Sequence, residues 1–374
     1  MKTRQVARIG IAVVCAIAAA VSSGWAQGSL TPPGAPAPAM KTLAQVEPRI
    51  PIAAVPYTIT EPGSYYLATN LVSTGHGIVV QASNVTLDLM GFTLTGDRGS
   101  GVYGIWLNGA TNAALSDIVV RGGMVRGFED GLRLDYAQNN RVEGLTISSN
   151  ANHGLVLNGT SGGTCDGNTV RDCAIRGNDA SGVYLEADGG ACDGNTIADC
   201  AISGNGAFGV SLRGPYGGQC DGNTIAGCAI SGNGNYGVGL YGVVGGTCNG
   251  NTVRDCAIRG NGGCGVAFAG YGGDCGGNTV ARCVLHKNTG IGIYAEDTRG
   301  NRIENNHVFG TTGYPSYGIR TVTSSANLIL QNTCVGQTNN YAISANDTCG
   351  PVVTDSGALA TSGAAAHPWA NFSR

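Results

Sequence analysis

Short apolar–variable–apolar triplets, each preceded by glycine, recur along most of the chain. Ile105, Trp106 and Leu107 follow Gly104, and Leu132, Arg133 and Leu134 follow Gly131. Val183, Tyr184 and Leu185 follow Gly182, and Val210, Ser211 and Leu212 follow Gly209. The same unit stands after Gly154, Gly237, Gly265 and Gly292, and in weaker form after Gly318 and at Ala342. Successive side chains of a strand point to opposite faces, so the constant apolar positions face a common interior and the variable middle position faces outward. Two further segments accompany each triplet: NTI or NTV, and AIS or AIR. Ile197 and Ile202 lie too close in sequence, and in the wrong parity, to share one face of a straight strand, which predicts a bend near Asp199 and Cys200. Three short strands with corners then make one turn of a coil. No repeat carries the long 3.6-residue pattern of a helix.

The spacing is regular. The block CDGNTVRDCAIRGN at Cys165–Asn178 returns with small changes from Cys192, Cys220, Cys248 and Cys275, at steps of 27, 28, 28 and 27 residues. A fixed period in this range marks a solenoid whose repeats pack on their neighbours. About ten rungs, stacked about 4.8 Å apart, account for the repeats. Asparagine recurs at two corners, in the columns Asn140, Asn168, Asn195, Asn223, Asn251, Asn278, Asn301 and Asn150, Asn178, Asn205, Asn233, Asn261, Asn288. These predict amide ladders running from rung to rung. The 63 glycines show no Gly-X-Y period and fit a fold with several left-handed corners per turn.

Outside the repeats, Lys2, Arg4 and Arg8 precede an apolar run from Ile9 to Val21 that ends in small residues up to Ala26, the layout of a secretory signal peptide over 1–26. The chain is therefore expected to be secreted, periplasmic or held at the cell surface. Residues 27–50 read as a Pro-rich linker with a short capping segment, 51–350 as the coil, and 351–374 as a tail whose Trp369 and Phe372 are expected to fold over the last rung. No other apolar stretch is long enough to span a membrane. Without the leader, 18 basic residues face 24 acidic ones and no basic stripe exists, which argues against a nucleic-acid partner. The oligomeric state is not encoded in any feature of the sequence.

The repeated unit N-T-I/V-x-x-C-x-I-x-x-N-G-x-x-x-G-V/I-x-L, with the opening segment NVTLDLMGFTLTG at Asn84–Gly96, resembles the right-handed parallel β-helix superfamily of pectate-lyase-like folds over roughly residues 56–350. In particular it is similar to secreted bacterial members of unassigned activity. The resemblance implies an all-β chain wound as a single right-handed parallel β-helix. Members of this superfamily often carry Asn at the corner occupied here by Cys173, Cys200, Cys228, Cys256 and Cys283.

Ten of the cysteines form five pairs at constant spacing: Cys165 and Cys173, Cys192 and Cys200, Cys220 and Cys228, Cys248 and Cys256, Cys275 and Cys283. Rungs that lack one member lack the other, with Ala137 and Leu145 before the block and Thr298 and Asn306 after it. Loss in pairs predicts bonding in pairs, hence five within-rung disulfides in an exported chain, provided that the preceding loop folds back over the corner. A sixth bridge is expected between Cys334 and Cys349, leaving Cys264 odd. No CxxC spacing is present, so no zinc site is predicted.

The resemblance further implies that polysaccharide would bind along one sheet through outward side chains. On the triplet strand these include Trp106, Tyr184, Arg213 and Tyr241 as binding residues and Asp135, Glu186 and Arg133 as catalytic candidates. Asp135 and Glu186 are placed two rungs apart, about 10 Å, near the spacing of an inverting glycosidase. Arg133 beside Asp135 suits lyase chemistry, with the Arg as base and an acidic calcium ligand. Against both stands an ordinary ion pair between Glu186 and Arg213, with Glu296 and Arg320 as a second such pair. His153 and His286 read as solvated corner residues. The loop column Asp166, Asp193 and Asp221 could hold calcium, although Asn249 and Gly276 interrupt it. Three functions stay open: an exported scaffold or carbohydrate binder, a polysaccharide lyase or glycoside hydrolase, and a purely structural surface element.

Overall fold

The triplets form a sheet of twelve parallel strands, each paired with the strand one turn before and one turn after. The computed structural model describes residues 47–313, 315–354 and 363–374. The expected signal peptide and most of the linker lie outside the described residues. Register is kept through the repeats: Val183 pairs with Val210, Val210 with Val238 and Val238 with Val266. Leu185, Leu212, Leu240 and Phe268 follow in the same register, and all of these side chains are fully buried. Two opening strands, Tyr57–Ile59 and Ile78–Val80, precede the ten triplets and complete the twelve.

A second sheet of 24 strands carries the other two segments of each turn. In one repeat these are Thr196–Ala198 and Ala201–Ser203, whose Ile197 and Ile202 both reach the core. The expected bend falls between them, at Asp199, where φ is +53°. The same left-handed corner is held by Asp172, Gly227, Asp255 and Arg282. Glycine and aspartate tolerate this conformation better than most residues, which accounts for the D or G written at that place in four of these five repeats. The structure is thus all-β, a parallel coil of about ten regular turns.

The last turn departs from the expected alignment. Ile319 pairs with Tyr341 and Arg320 with Ala342, so the strand lies two residues from the register that the Ala342 triplet suggested. A shift of two preserves the in–out alternation, so the apolar pattern is blind to it. Tyr341 packs against the core, and its hydroxyl donates to the carbonyl oxygens of Asn332 at 2.7 Å and Phe372 at 3.0 Å.

The cysteines correct the expected pairing. Cys165, Cys173, Cys192, Cys200, Cys220, Cys228, Cys248, Cys256, Cys275 and Cys283 are free thiols, and so are Cys334 and Cys349. The two members of each of the five repeat pairs flank the NTI or NTV strand and are buried in the interior in separate columns. Each faces its equivalent one turn away instead: Cys200 faces Cys173 and Cys228, and Cys248 faces Cys220 and Cys275.

Both asparagine columns are the ladders that their recurrence predicts. The Asn178 amide donates to Asn205 Oδ1 at 2.8 Å and the Asn205 amide to Asn233 Oδ1 at 2.9 Å, and the backbone N–H of each donor residue meets the same oxygen. A third ladder continues the corner of Cys173–Cys283: Cys283 N–H donates to Asn306 Oδ1, Asn306 to Asn332, and Asn332 to Asn371. Asn371 belongs to a strand, Asn371–Ser373, that pairs in parallel with Thr333–Val335 and with Val352–Val353. The chain end therefore returns to the coil, with Phe372 opposite Thr333 and Val353, while Trp369 remains 46% exposed.

Replacing one ladder member strands the buried donors of the rung below, at a cost of about 1–3 kcal/mol for an unsatisfied buried group. Asn205→Ala should lower unfolding stability by about 3 kcal/mol, because the N–H and the amide of Asn178 lose one shared acceptor. Urea titration followed by circular dichroism measures it; a change below about 0.5 kcal/mol would show that the ladder is not a stabilising element.

Candidate functional site

The triplet register sets Trp106, Arg133, Val156, Tyr184, Ser211, Gly239, Ala267, Tyr294 and Arg320 in one outward row. A second row holds Asn108, Asp135, Asn158, Glu186, Arg213, Tyr241, Ala269 and Glu296. All seven residues singled out for binding or catalysis lie on this face, in three groups.

The first group centres on Asp135, only 8% exposed. Its carboxylate accepts from Trp106 Nε1 at 2.6 Å, from Asn158 Nδ2 at 2.7 Å, and from Arg133 Nε at 3.0 Å to each oxygen. A carboxylate offers about four acceptor sites, and three N–H donors engage this one, that of Arg133 shared between both oxygens. Arg133 also reaches Asp130 at 3.4 Å and lies 5.1 Å from the centre of the Tyr103 ring. Asp130 is 1% exposed and accepts from Asn152 Nδ2 and the His153 N–H. Burial raises its carboxyl above the usual range, against the lowering pull of those bonds and of Arg133. His76, Tyr103 and Trp106 close the group, with ring centres 4.9–5.4 Å apart.

The second group lies two rungs beyond Asp135. The Tyr184 ring stacks on His153 at 4.5 Å and 9°. Its hydroxyl donates to Glu186 Oε1 at 2.9 Å and accepts from Arg213 Nη1 at 3.5 Å. Tyr184 thus stands between Glu186 and Arg213, and the direct ion pair expected of those two is not formed. Burial and the Glu186 charge push the Tyr184 hydroxyl up to about 12. His153 is no solvated corner: its Nδ1 accepts from the Ser181 N–H at 3.1 Å, and burial lowers its pKa to about 4.

The third group is a recess of about 300 Å³ lined by Phe208, Tyr236, Tyr241 and Tyr271, with Arg213 at its edge. Tyr241 and Tyr271 stack at 5.9 Å and 13°, and Phe208 meets Tyr236 and Tyr241 edge-on. Gly239 makes room: a Cβ there would come within 2.6 Å of the Tyr241 ring, which lies flat over the glycine. Beyond the recess, Arg320 lies over the rings of Tyr317 at 4.8 Å and Tyr294 at 6.0 Å, rather than pairing with Glu296.

Sequence reasoning missed Tyr103, Asp130, Phe208, Tyr236 and Tyr271, which stand at the ends of the triplet strands or in the loops beside them. A signal was present: Phe208 and Tyr236 occupy the same place before their glycines, Gly209 and Gly237. The loop acids have other work. Asp166 Oδ1 accepts from the Asp193 N–H, Asp193 from Asp221 and Asp221 from Asn249, a further rung-to-rung ladder. His286 stacks on Phe309 at 4.1 Å. Among the described residues no three His, Cys, Asp or Glu side chains are arranged to hold a metal ion, and no helix is long and apolar enough to cross a membrane.

The fold and this face define a parallel β-helix with an aromatic and charged outer sheet, and the profile of the family described as "Right handed beta helix region" matches residues 219–373. The profile described as "Periplasmic copper-binding protein (NosD)" matches residues 63–270, more than half of the chain, and the chain belongs to that family. No curated protein sequence matches it. Among solved structures, the A-module of mannuronan C-5 epimerase AlgE4 of Azotobacter vinelandii is 17% identical at a TM-score of 0.63, covering 80% of this chain and 90% of that one. A tailspike protein of E. coli bacteriophage HK620, solved with a pentasaccharide, is 16% identical at 0.61 and covers 77% and 57%. The catalytic domain of a GH87 alpha-1,3-glucanase, solved with tetrasaccharides, is 14% identical at 0.54 and covers 80% and 63%. At these identities the likeness establishes the fold.

His153 supplies a pH test. Its folded pKa of about 4 lies below the ordinary 6.5, so the unfolded chain binds the proton first, and stability present above pH 6.5 is lost as pH falls toward 4, by up to about 3 kcal/mol. Asp193, raised to about 6 by burial, acts in the opposite sense over the same window. The informative quantity is therefore the difference between the parent and His153→Gln in urea titrations at pH 7 and pH 4.5: the parent should lose more on acidification. Parallel losses would refute the partly buried, neutral imidazole.

Proposed function

We propose that this is an exported protein that binds a polysaccharide lengthwise along the outer face of the twelve-stranded sheet, from Trp106 to Tyr271. The observation that carries the reading is the aromatic recess of Phe208, Tyr236, Tyr241 and Tyr271, in line with the His153–Tyr184 stack and with Trp106. Aromatic faces stack on the C–H faces of sugar rings. Tyr184 and Tyr241 are two rungs apart, about 10 Å along the coil, comparable with the length of a disaccharide. Arg213 borders the recess and can bond hydroxyl or carboxylate groups. The oligosaccharides in the tailspike and glucanase structures, and the periplasmic description of the family, support the reading.

Catalysis by Asp135, Glu186 and Arg133 is the alternative, and it would make the chain a lyase or glycoside hydrolase. The geometry favours binding. Asp135 is held by three N–H donors, and Arg133 is engaged by Asp130 and Asp135. These residues act here as a rigid wall that orients Trp106. The family description also names copper. The donor set does not fit it: the thiols lie in interior columns without histidine, and no three-ligand group exists among the described residues.

Affinity electrophoresis in gels cast with neutral and with uronate polysaccharides tests the proposal. At least one polymer should retard the chain, and Trp106→Ala and Tyr271→Ala should each weaken retardation by about tenfold, in line with about 1–3 kcal/mol per lost stacking partner. Arg254→Ala, on the other sheet, should change nothing. No retardation by any polymer would leave the purely structural role. Product release abolished by Asp135→Asn would instead establish the enzyme.

A further inference from the structure

The ten cysteines of the central repeats form two interior columns, Cys165 to Cys275 and Cys173 to Cys283, each of five thiols one turn apart and between 0% and 2% exposed. Equivalent backbone positions on neighbouring rungs are separated by about 4.8 Å. That lies inside the range of about 4.4–6.8 Å between Cα atoms that a disulfide spans. The sulfurs face one another along the column: Cys165 and Cys192, Cys220 and Cys248, and every neighbouring pair from Cys173 to Cys283. The second column also shows what this corner is for. Where it runs on past Cys283, Asn306, Asn332 and Asn371 tie each turn to the next by amide hydrogen bonds. In the five turns before, sulfur stands where the amide would be.

We propose that these columns are oxidised to rung-to-rung disulfides, two in each column, while the coil is being wound. In each event two thiols lose two protons and two electrons, and a disulfide of the oxidant, glutathione disulfide or a dithiol oxidase of the export compartment, is cleaved to two thiols. Each sulfur bonds a single neighbour, so five in a line form two bridges and leave one thiol. Winding sets the time. Once the next turn is packed the sulfurs are covered, and burial pushes the Cys192 and Cys248 thiols up, away from the thiolate that exchange requires. The proposal rests on export to an oxidising compartment and not on glycan binding.

The test refolds the chain from residue 27 onward in a glutathione redox couple and counts thiols in denaturant with Ellman's reagent. Four bridges use eight of the thirteen thiols and leave five. Cys228→Ala removes the middle of its column, so its four remaining thiols pair as Cys173 with Cys200 and Cys256 with Cys283, and the count falls to four. Cys200→Ala isolates Cys173 and leaves three in line, so the count rises to six. Within-rung pairing of the same ten would leave three in the parent and four in either variant. Thirteen thiols in the parent, or equal counts in the two variants, overturns the proposal. If a variant does not fold, peptide mapping of the parent decides, after cleavage at aspartate, which separates Cys165 from Cys173 and Cys192 from Cys200. Peptides linked across rungs support the proposal and peptides linked within a rung refute it. A chain that fails to bind glycans but shows the expected counts sinks the functional reading alone.

Discussion

Everything in this molecule depends on the fact that a buried polar group must find its partner one turn away. A rung has no tertiary neighbours except the rung below and the rung above. Its corners turn inward the amides and backbone groups that a globular protein would leave at the surface. Asn205 is almost wholly buried, and both its donors and its acceptor are satisfied within the stack. That requirement fixes the register more tightly than apolar packing does. Leu, Val and Ile can exchange along a column at modest cost, whereas an amide out of line strands two neighbours at once.

The outer face inherits this rigidity. Trp106, Tyr184 and Tyr241 sit on strands whose inward side chains are locked, so their spacing is set by the pitch of the coil. Polar contacts then hold the rings in place: Asp135 anchors the Trp106 indole, and Glu186 and Arg213 hold the Tyr184 hydroxyl. The charged residues singled out as catalytic candidates thus also touch, in the fold, the aromatic side chains beside them. This also separates the face from the opposite sheet, where Arg171 with Glu143, and Arg282 with Asp255, form exposed pairs of small energetic weight.

The coil itself was legible because its signals are periodic. The triplets, the corner asparagines and the Asp199 bend each recur, and each has one physical explanation. The register of the last strand was not, since a slip of two residues leaves the pattern of Ile319, Tyr341 and Ile343 unchanged in parity. The sulfur pairing was misread because spacing along a chain was taken for closeness in space. Cys192 and Cys200 are near in sequence, yet they flank a strand, whereas Cys192 and Cys165 are a full turn apart and meet. Of the outer face, the strand residues were placed by alternation. Phe208, Tyr236 and Tyr271 escaped because positions beside strands obey no period-two rule. His153 looked solvated for the same reason.

The return of Asn371 to the third ladder has a bearing on how such a molecule can change length. The opening strands and the returning chain end are each singular, but the turns between Cys165 and Cys275 are interchangeable pieces that present the same partners above and below. Duplication or loss of a whole segment there would rejoin like to like and leave both lids untouched. It would also add or remove one increment of the outer surface, so the length of that surface is a property that evolution can adjust by counting.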